Sequence, residues 1–189
     1  MGVSEFHEAE IALRDESQER FDDDLVFGNF FKDLVMLLLG KCGYEVYPYG
    51  YESHFPILKR RLRESQFSDV AGKVRSTPDL LVANPTNNEV NLVEIKARRI
   101  SAAQGVKIKR ISLYHKFWPE SVIVLVISSG DCFYAQHVTK LDKSGMYDPR
   151  QFRPLEEIFP RVSTLSSDFQ QKMVQKAMTL FRNRQNGYL

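Results

Sequence analysis

The sequence predicts an α/β fold, a mixed central sheet flanked by helices, with core elements in the order helix, strand, strand, strand, helix, strand (αβββαβ) and extra helices at both ends. Three observations lead there. Ser121 to Ser128 (SVIVLVIS) is a continuous apolar run bounded by polar residues and Gly130, the pattern of a strand buried on both faces. Leu80-Leu81-Val82 and Val90 to Ala97 flank Asn84-Pro85-Thr86-Asn87-Asn88, turn chemistry that joins two strands as a hairpin. A helix signal separates that hairpin from the apolar run, and a helix between two strands of one sheet implies a right-handed parallel crossover.

Taken in order, residues 1–23 read as an acidic arm, crowded with Glu5, Glu8, Glu10, Asp15, Glu16, Glu19, Asp22 and Asp23. Asp24 can cap a helix from about Leu25 to Lys41, rich in Phe31, Leu34, Val35, Leu38 and Leu39, with Gly40 and Gly43 around its end. Tyr44 to Tyr49 has strand-forming residue types. Glu52 to Arg75 is a polar excursion containing a candidate basic helix with Arg60, Arg61 and Arg63. After the hairpin, Ser101 and Gln104 stand at capping-box spacing and start a helix expected to end before Pro119. Tyr114, Phe117 and Trp118 near its end are expected in the core. Cys132 to Val138 is a further strand. Ser167 or Asp168 caps a last helix with Phe169, Met173, Ala177 and Phe181 on one side. Such a stripe packs on its own domain or joins a dimer interface.

Composition narrows the class. With 189 residues, 43% hydrophobic and 26% charged, the chain matches an ordinary globular domain. No apolar run is long enough to span a bilayer, so no membrane association is expected. The polar, acidic N-terminus is unlike a signal peptide. Cys42 and Cys132 have neither metal nor redox spacing and read as thiols of a reducing compartment, so the expected location is cytoplasmic. The histidines do not cluster as zinc ligands. Neither a Walker A motif nor a Rossmann glycine pattern is present, so no nucleotide cofactor is expected. The net charge of +2 is uninformative, but its distribution is not. No acidic residue lies between Glu94 and Glu120, a stretch that holds Lys96, Arg98, Arg99, Lys107, Lys109, Arg110 and Lys116. One-signed segments of this kind attract polyanions. The alternative for them is a solvated face paired with acids elsewhere.

The chemistry centres on Asp79, Glu94 and Lys96. Side chains alternate along a strand, so Glu94 and Lys96 share a face while Val93, Ile95 and Ala97 point into the core. Asp79 starts the partner strand, and a hairpin can bring its carboxylate toward that of Glu94. Two neighbouring carboxylates repel and call for a cation between them. Hard oxygen ligands suit Mg²⁺, with Mn²⁺ as a substitute. Such an ion polarises a phosphate and activates water. An ammonium at Lys96 can orient that water or offset charge on the phosphate oxygens.

Pro78-Asp79 followed by Glu94-Ile95-Lys96 resembles the signature of the PD-(D/E)xK nuclease superfamily, which includes restriction endonucleases and Holliday-junction resolvases. The resemblance spans roughly residues 25–138, the expected core of one nuclease-like domain over 1–189, with a C-terminal helical extension over 150–189. It implies a restriction-endonuclease-like αβββαβ core and Mg²⁺-dependent cleavage of nucleic acid. Asp79 and Glu94 would be metal ligands, the Ile95 carbonyl a third, and Lys96 the catalytic lysine. Many members add a glutamate on the first core helix. Gly28 to Asp33 has none, so Asp33 is the substitute candidate, with Glu45 or Glu52 behind it. RecB-like members carry Gln-x-x-x-Tyr after the lysine, where this chain has Arg110-Ile-Ser-Leu-Tyr114.

The expected function is therefore a metal-dependent endonuclease on DNA, selective for structure and assembled as a homodimer, with RNA as an alternative substrate. Arg98, Arg99, Lys107, Lys109 and Arg110 would grip the backbone. A non-catalytic nucleic-acid-binding or assembly subunit that keeps the fold is the competing reading.

Overall fold

A computed structural model describes residues 26–50, 68–98, 105–127 and 133–185. Several expectations lie outside them: the acidic arm, the Asp24 cap, Glu52, the basic helix with Arg60, Arg61 and Arg63, Arg99, the Ser101–Gln104 capping box and Cys132.

The first helix, α1 (26–41), buries Phe27, Phe31, Val35, Leu38 and Leu39 along one face. Gly43 ends it with φ +79°, a conformation that suits a residue without Cβ. Tyr44 N–H donates to Leu39 O and Gly43 N–H to Gly40 O, the two bonds of a Schellman motif. The strand β1 (Glu45–Pro48) follows. A short helix, α2 (Asp69–Arg75), then falls at the end of the stretch read as a polar excursion. Ser68 caps it by accepting from Ala71 N–H. The hairpin stands as expected: β2 (Leu80–Asn84) and β3 (Glu89–Arg98) pair antiparallel from Leu80↔Val93 to Asn84↔Glu89. Its turn is closed by the side chains of Asn84 and Asn87, which accept from Thr86 N–H and Glu89 N–H at 3.0 Å each.

The next segment corrects the sequence reading. Residues 106–109 are not helical. Val106 and Ile108 are buried while Lys107 and Lys109 are exposed, a period of two. Residues Val106–Lys107 form β4, and α3 covers only Ile111–Phe117, entered through Arg110 in the left-handed region at φ 65°. The strands β5 (Val122–Ile127) and β6 (Phe133–His137) complete the run of core elements. Then come β7 (Met146–Tyr147), β8 (Arg153–Pro154), a one-turn helix α4 (Leu155–Ile158) and α5 (Ser167–Gln185). The region beyond residue 150, expected as helical, thus also gives the sheet a strand. Ser166, not Ser167 or Asp168, caps α5 by accepting from Phe169 N–H.

The main sheet has six strands in the order β1-β2-β3-β5-β6-β8, and β4 and β7 form a separate two-stranded ribbon. Only β3 and β5 run parallel, so the sheet is mixed and mostly antiparallel, with helices packed on it. Every residue of β5 is buried. Val122, Val124 and Val126 face one core, with α1, Leu155, Phe159 and the Val174, Ala177 and Phe181 face of α5. Ile123, Leu125 and Ile127 face the other, with Val106, Ile108, Ile111 and Tyr114. The stripe on α5 therefore packs on its own chain, though Phe169 stays exposed.

Candidate metal centre

The site forms where the β2–β3 ladder stops. Leu80↔Val93 is its last pair, so β3 runs on through Glu94, Ile95 and Lys96 without a β2 strand partner. On its other side β3 stays paired to β5, with Glu94 opposite Ile123 and Lys96 opposite Leu125. Asp79, just before β2, uses its side chain where the strand backbone has ended: its Oδ2 accepts from Ile95 N–H at 2.9 Å. A strand residue's N–H and C=O point to the same neighbour, so the Ile95 carbonyl leaves β3 on the Asp79 side. The Asp79 backbone is held as well, its carbonyl accepting from Tyr49 N–H at 2.9 Å and Gly50 N–H at 3.2 Å.

As alternation requires, Val93, Ile95 and Ala97 enter the first core while Glu94 and Lys96 face the other way. Glu94 is buried, and its carboxyl is pushed up to about 7 by burial first and the Asp79 charge second. The Lys96 ammonium, which ion-pairs with Glu94 Oε1, and the Tyr114 hydroxyl oppose that rise. Burial, then the Glu94 charge, raise the Tyr114 hydroxyl well above its ordinary range, so it is a donor to Glu94. The Lys96 ammonium lies 5.7 Å from the Tyr114 ring centroid. Asp79 has its own cation, Lys32 of α1, whose Nζ lies 3.4 Å from Oδ1. Each carboxylate therefore has a lysine partner, and the pair does not depend on a metal for charge balance.

The structure thus brings Asp79, Glu94, Lys96 and the Ile95 backbone together, but not Asp33. That residue is exposed on α1, and no described contact carries it to the carboxylates. Glu45 is also exposed and accepts from the Tyr47 hydroxyl. Among the described residues no three His, Cys, Asp or Glu side chains group as a metal cage. Two side-chain oxygen donors at an open strand edge, one raised by burial and by the other's charge, do fit a hard divalent cation that keeps several waters.

The basic residues divide. Arg98 is half-buried and donates to Ala97 O at 2.7 Å and Lys107 O at 2.8 Å, tying the end of β3 to β4. Lys107, Lys109 and Arg110 are exposed, on a strand and a turn and not on the expected helix. Lys116 pairs with Asp69 of α2 at 2.6 Å. Tyr114 is buried as expected, yet it touches the site, and Trp118 is wedged beside Lys73 and Tyr49. Lys32 was not singled out in the sequence. A lysine beside the buried Phe31, and so flanking the core face of α1, is the only local signal for it.

No protein-family model matches the chain, and no curated protein matches it. Among solved structures, a Holliday junction resolvase, Hjc, from the archaeal hyperthermophile Archaeoglobus fulgidus aligns over 70% of this chain and 98% of its own, with TM-score 0.45 and 12% identity. That likeness is too distant to transfer a residue's role.

Proposed function

We propose that the chain is a divalent-metal-dependent nuclease of the PD-(D/E)xK type that hydrolyses phosphodiester bonds in DNA, selecting substrate by structure. The observation that carries this reading is the meeting of Asp79, Glu94 and Lys96 at the point where β2 ends and leaves β3 open. Asp79, Glu94 and the Ile95 carbonyl would hold Mg²⁺ or Mn²⁺. A bound ion supplies polarisation of the scissile phosphate and activation of water.

The chain's own groups prepare that chemistry. Ile95 N–H fixes one Asp79 oxygen, and a carboxylate oxygen keeps a further lone pair after one such bond. The Tyr114 hydroxyl steadies Glu94 from the buried side. An ammonium has three N–H groups, so Lys96 can bond Glu94 and still present protons to a phosphate oxygen or a water. Lys107, Lys109 and Arg110 are exposed cations beyond the end of β3 and would bind backbone phosphates. Arg98 acts from its backbone ties, by placing β4. The rest of the reading is one working domain over 1–189, a homodimer for cutting two strands, and a cytoplasmic location.

A second reading has one observation in its favour. Because Lys32 and Lys96 already neutralise the two carboxylates, the fold can stand as a nucleic-acid-binding subunit without catalysis.

Cleavage of labelled duplex, single-stranded, flap and four-way-junction DNA, and of RNA, in Mg²⁺ or Mn²⁺ separates the two. The nuclease reading expects cutting abolished by EDTA and reduced at least ~10²-fold in Asp79→Asn, Glu94→Gln and Lys96→Ala. Tight binding with no cutting of any substrate selects the subunit reading.

A further inference from the structure

We propose that Lys32 is the fixed cation of this centre, standing where a second metal ion would bind, so that the site takes one divalent ion per chain. This rests on the metal-dependent reading above and specifies it.

Lys32 comes from α1, yet its Nζ lies 3.4 Å from Asp79 Oδ1, across 47 residues of sequence. Its side chain is 17% exposed, so the ammonium is held within the structure. Gly50 borders it: a Cβ added there would lie 3.8 Å from Lys32 Nζ and 3.7 Å from Asp79 Cα. The segment after β1 that pins the Asp79 carbonyl therefore also borders the lysine's ammonium.

Asp79 divides its two oxygens between different partners. Oδ2 takes Ile95 N–H and faces β3, where Glu94 and the Ile95 carbonyl lie. Oδ1 takes Lys32. A cation held by Asp79 and Glu94 would draw on the Oδ2 that already faces β3. A second ion would need Oδ1, and would there meet a positive charge at close range. Among the described residues no third acid is present to offset it.

Asp79, Glu94, Lys32 and Lys96 sum to zero formal charge. One divalent ion leaves the centre two units positive, enough to attract a phosphodiester. A second would leave it four units positive on two carboxylates. Lys32 thus acts on Asp79 as a positioning and charge-setting residue, and its prime effect is on how many metal ions bind and how tightly.

Mn²⁺ titration of the full chain without nucleic acid, followed by the electron paramagnetic resonance of free Mn²⁺, tests this. The wild type should bind one Mn²⁺ per chain. Lys32→Met should keep one ion and bind it about tenfold tighter, because a unit positive charge close to the ion is removed. Lys32→Glu should bind two, and Lys32→Arg should match the wild type. Circular dichroism establishes that each variant folds, and Lys32→Met keeps the side-chain bulk if Lys32→Glu does not. Two ions on the wild type, or unchanged binding in both Lys32→Met and Lys32→Glu, overturns the proposal and leaves the nuclease reading standing. No Mn²⁺ on the wild type, or binding that survives Glu94→Gln, overturns both.

Discussion

Glu94 shows how strongly a single side chain can couple the site to the fold. Its carboxyl sits at about 7 in the folded protein against 4.5 for an ordinary glutamate, because burial and Asp79 disfavour the charge. A raised carboxyl favours folding in its protonated form. Its contribution is fully present below the unfolded value of 4.5 and is lost as pH rises through about 7. The metal-free protein should therefore lose on the order of 3 kcal/mol between those limits. Mg²⁺, binding the ionised form, should restore stability most at the alkaline end. Urea unfolding from pH 5 to 8 with and without Mg²⁺ measures this, and Glu94→Gln should flatten the profile. A Glu94→Gln profile as steep as the wild type would place the titration elsewhere. Asp79, Glu94 and Lys96 were legible because strand alternation and a hairpin are local rules. Lys32 and Tyr114 were not, because each reaches the site from a different helix through packing that no short-range pattern encodes.

Elements were legible to the extent that their periodicity was unbroken. The strand β5, buried throughout, and the hairpin with its asparagine-rich turn came out nearly to the residue. The helix expected from Ser101 did not. Val106-Lys107-Ile108-Lys109 alternates with a period of two, and its pairing to β7 outweighs helix propensity until Ile111. The ribbon partner lies some forty residues downstream, so the alternation was the only sign of it. Between α1 and β1, Gly43 permits a specific test. Its φ of +79° is costly for alanine, and a Cβ would come within 2.4 Å of the Arg161 guanidinium. That guanidinium bonds the Thr86 hydroxyl at 3.1 Å and lies 5.9 Å from the Tyr44 ring centroid. Gly43→Ala should cost about 1–3 kcal/mol. Adding Arg161→Ala should cost less in that background than in the wild type, measured as a double-mutant cycle by thermal melting.

At the scale of the whole molecule, chain segments far apart in sequence close one core. Phe181 of α5 packs edge-on against Phe27 of α1, with ring centroids 5.2 Å apart, and Val174 and Ala177 lie in the same cluster. Phe181→Ala should destabilise by about 3–5 kcal/mol, seen as a lower denaturation midpoint with the slope preserved. A change below about 1 kcal/mol would mean that α5 contributes little to the core. With this face covered, a homodimer must use some other surface. The closure also constrains how the protein is made. The buried face of α1 is synthesised early, and its last cover, Phe181, emerges from the ribosome more than a hundred residues later. Until then Phe27 lacks the ring that covers it in the fold, and such long-range pairing is slow to form. Because the ring that covers Phe27 comes from α5, loss of α5 would uncover the helix that carries Lys32, so a distant part of the chain bears on the candidate centre through α1.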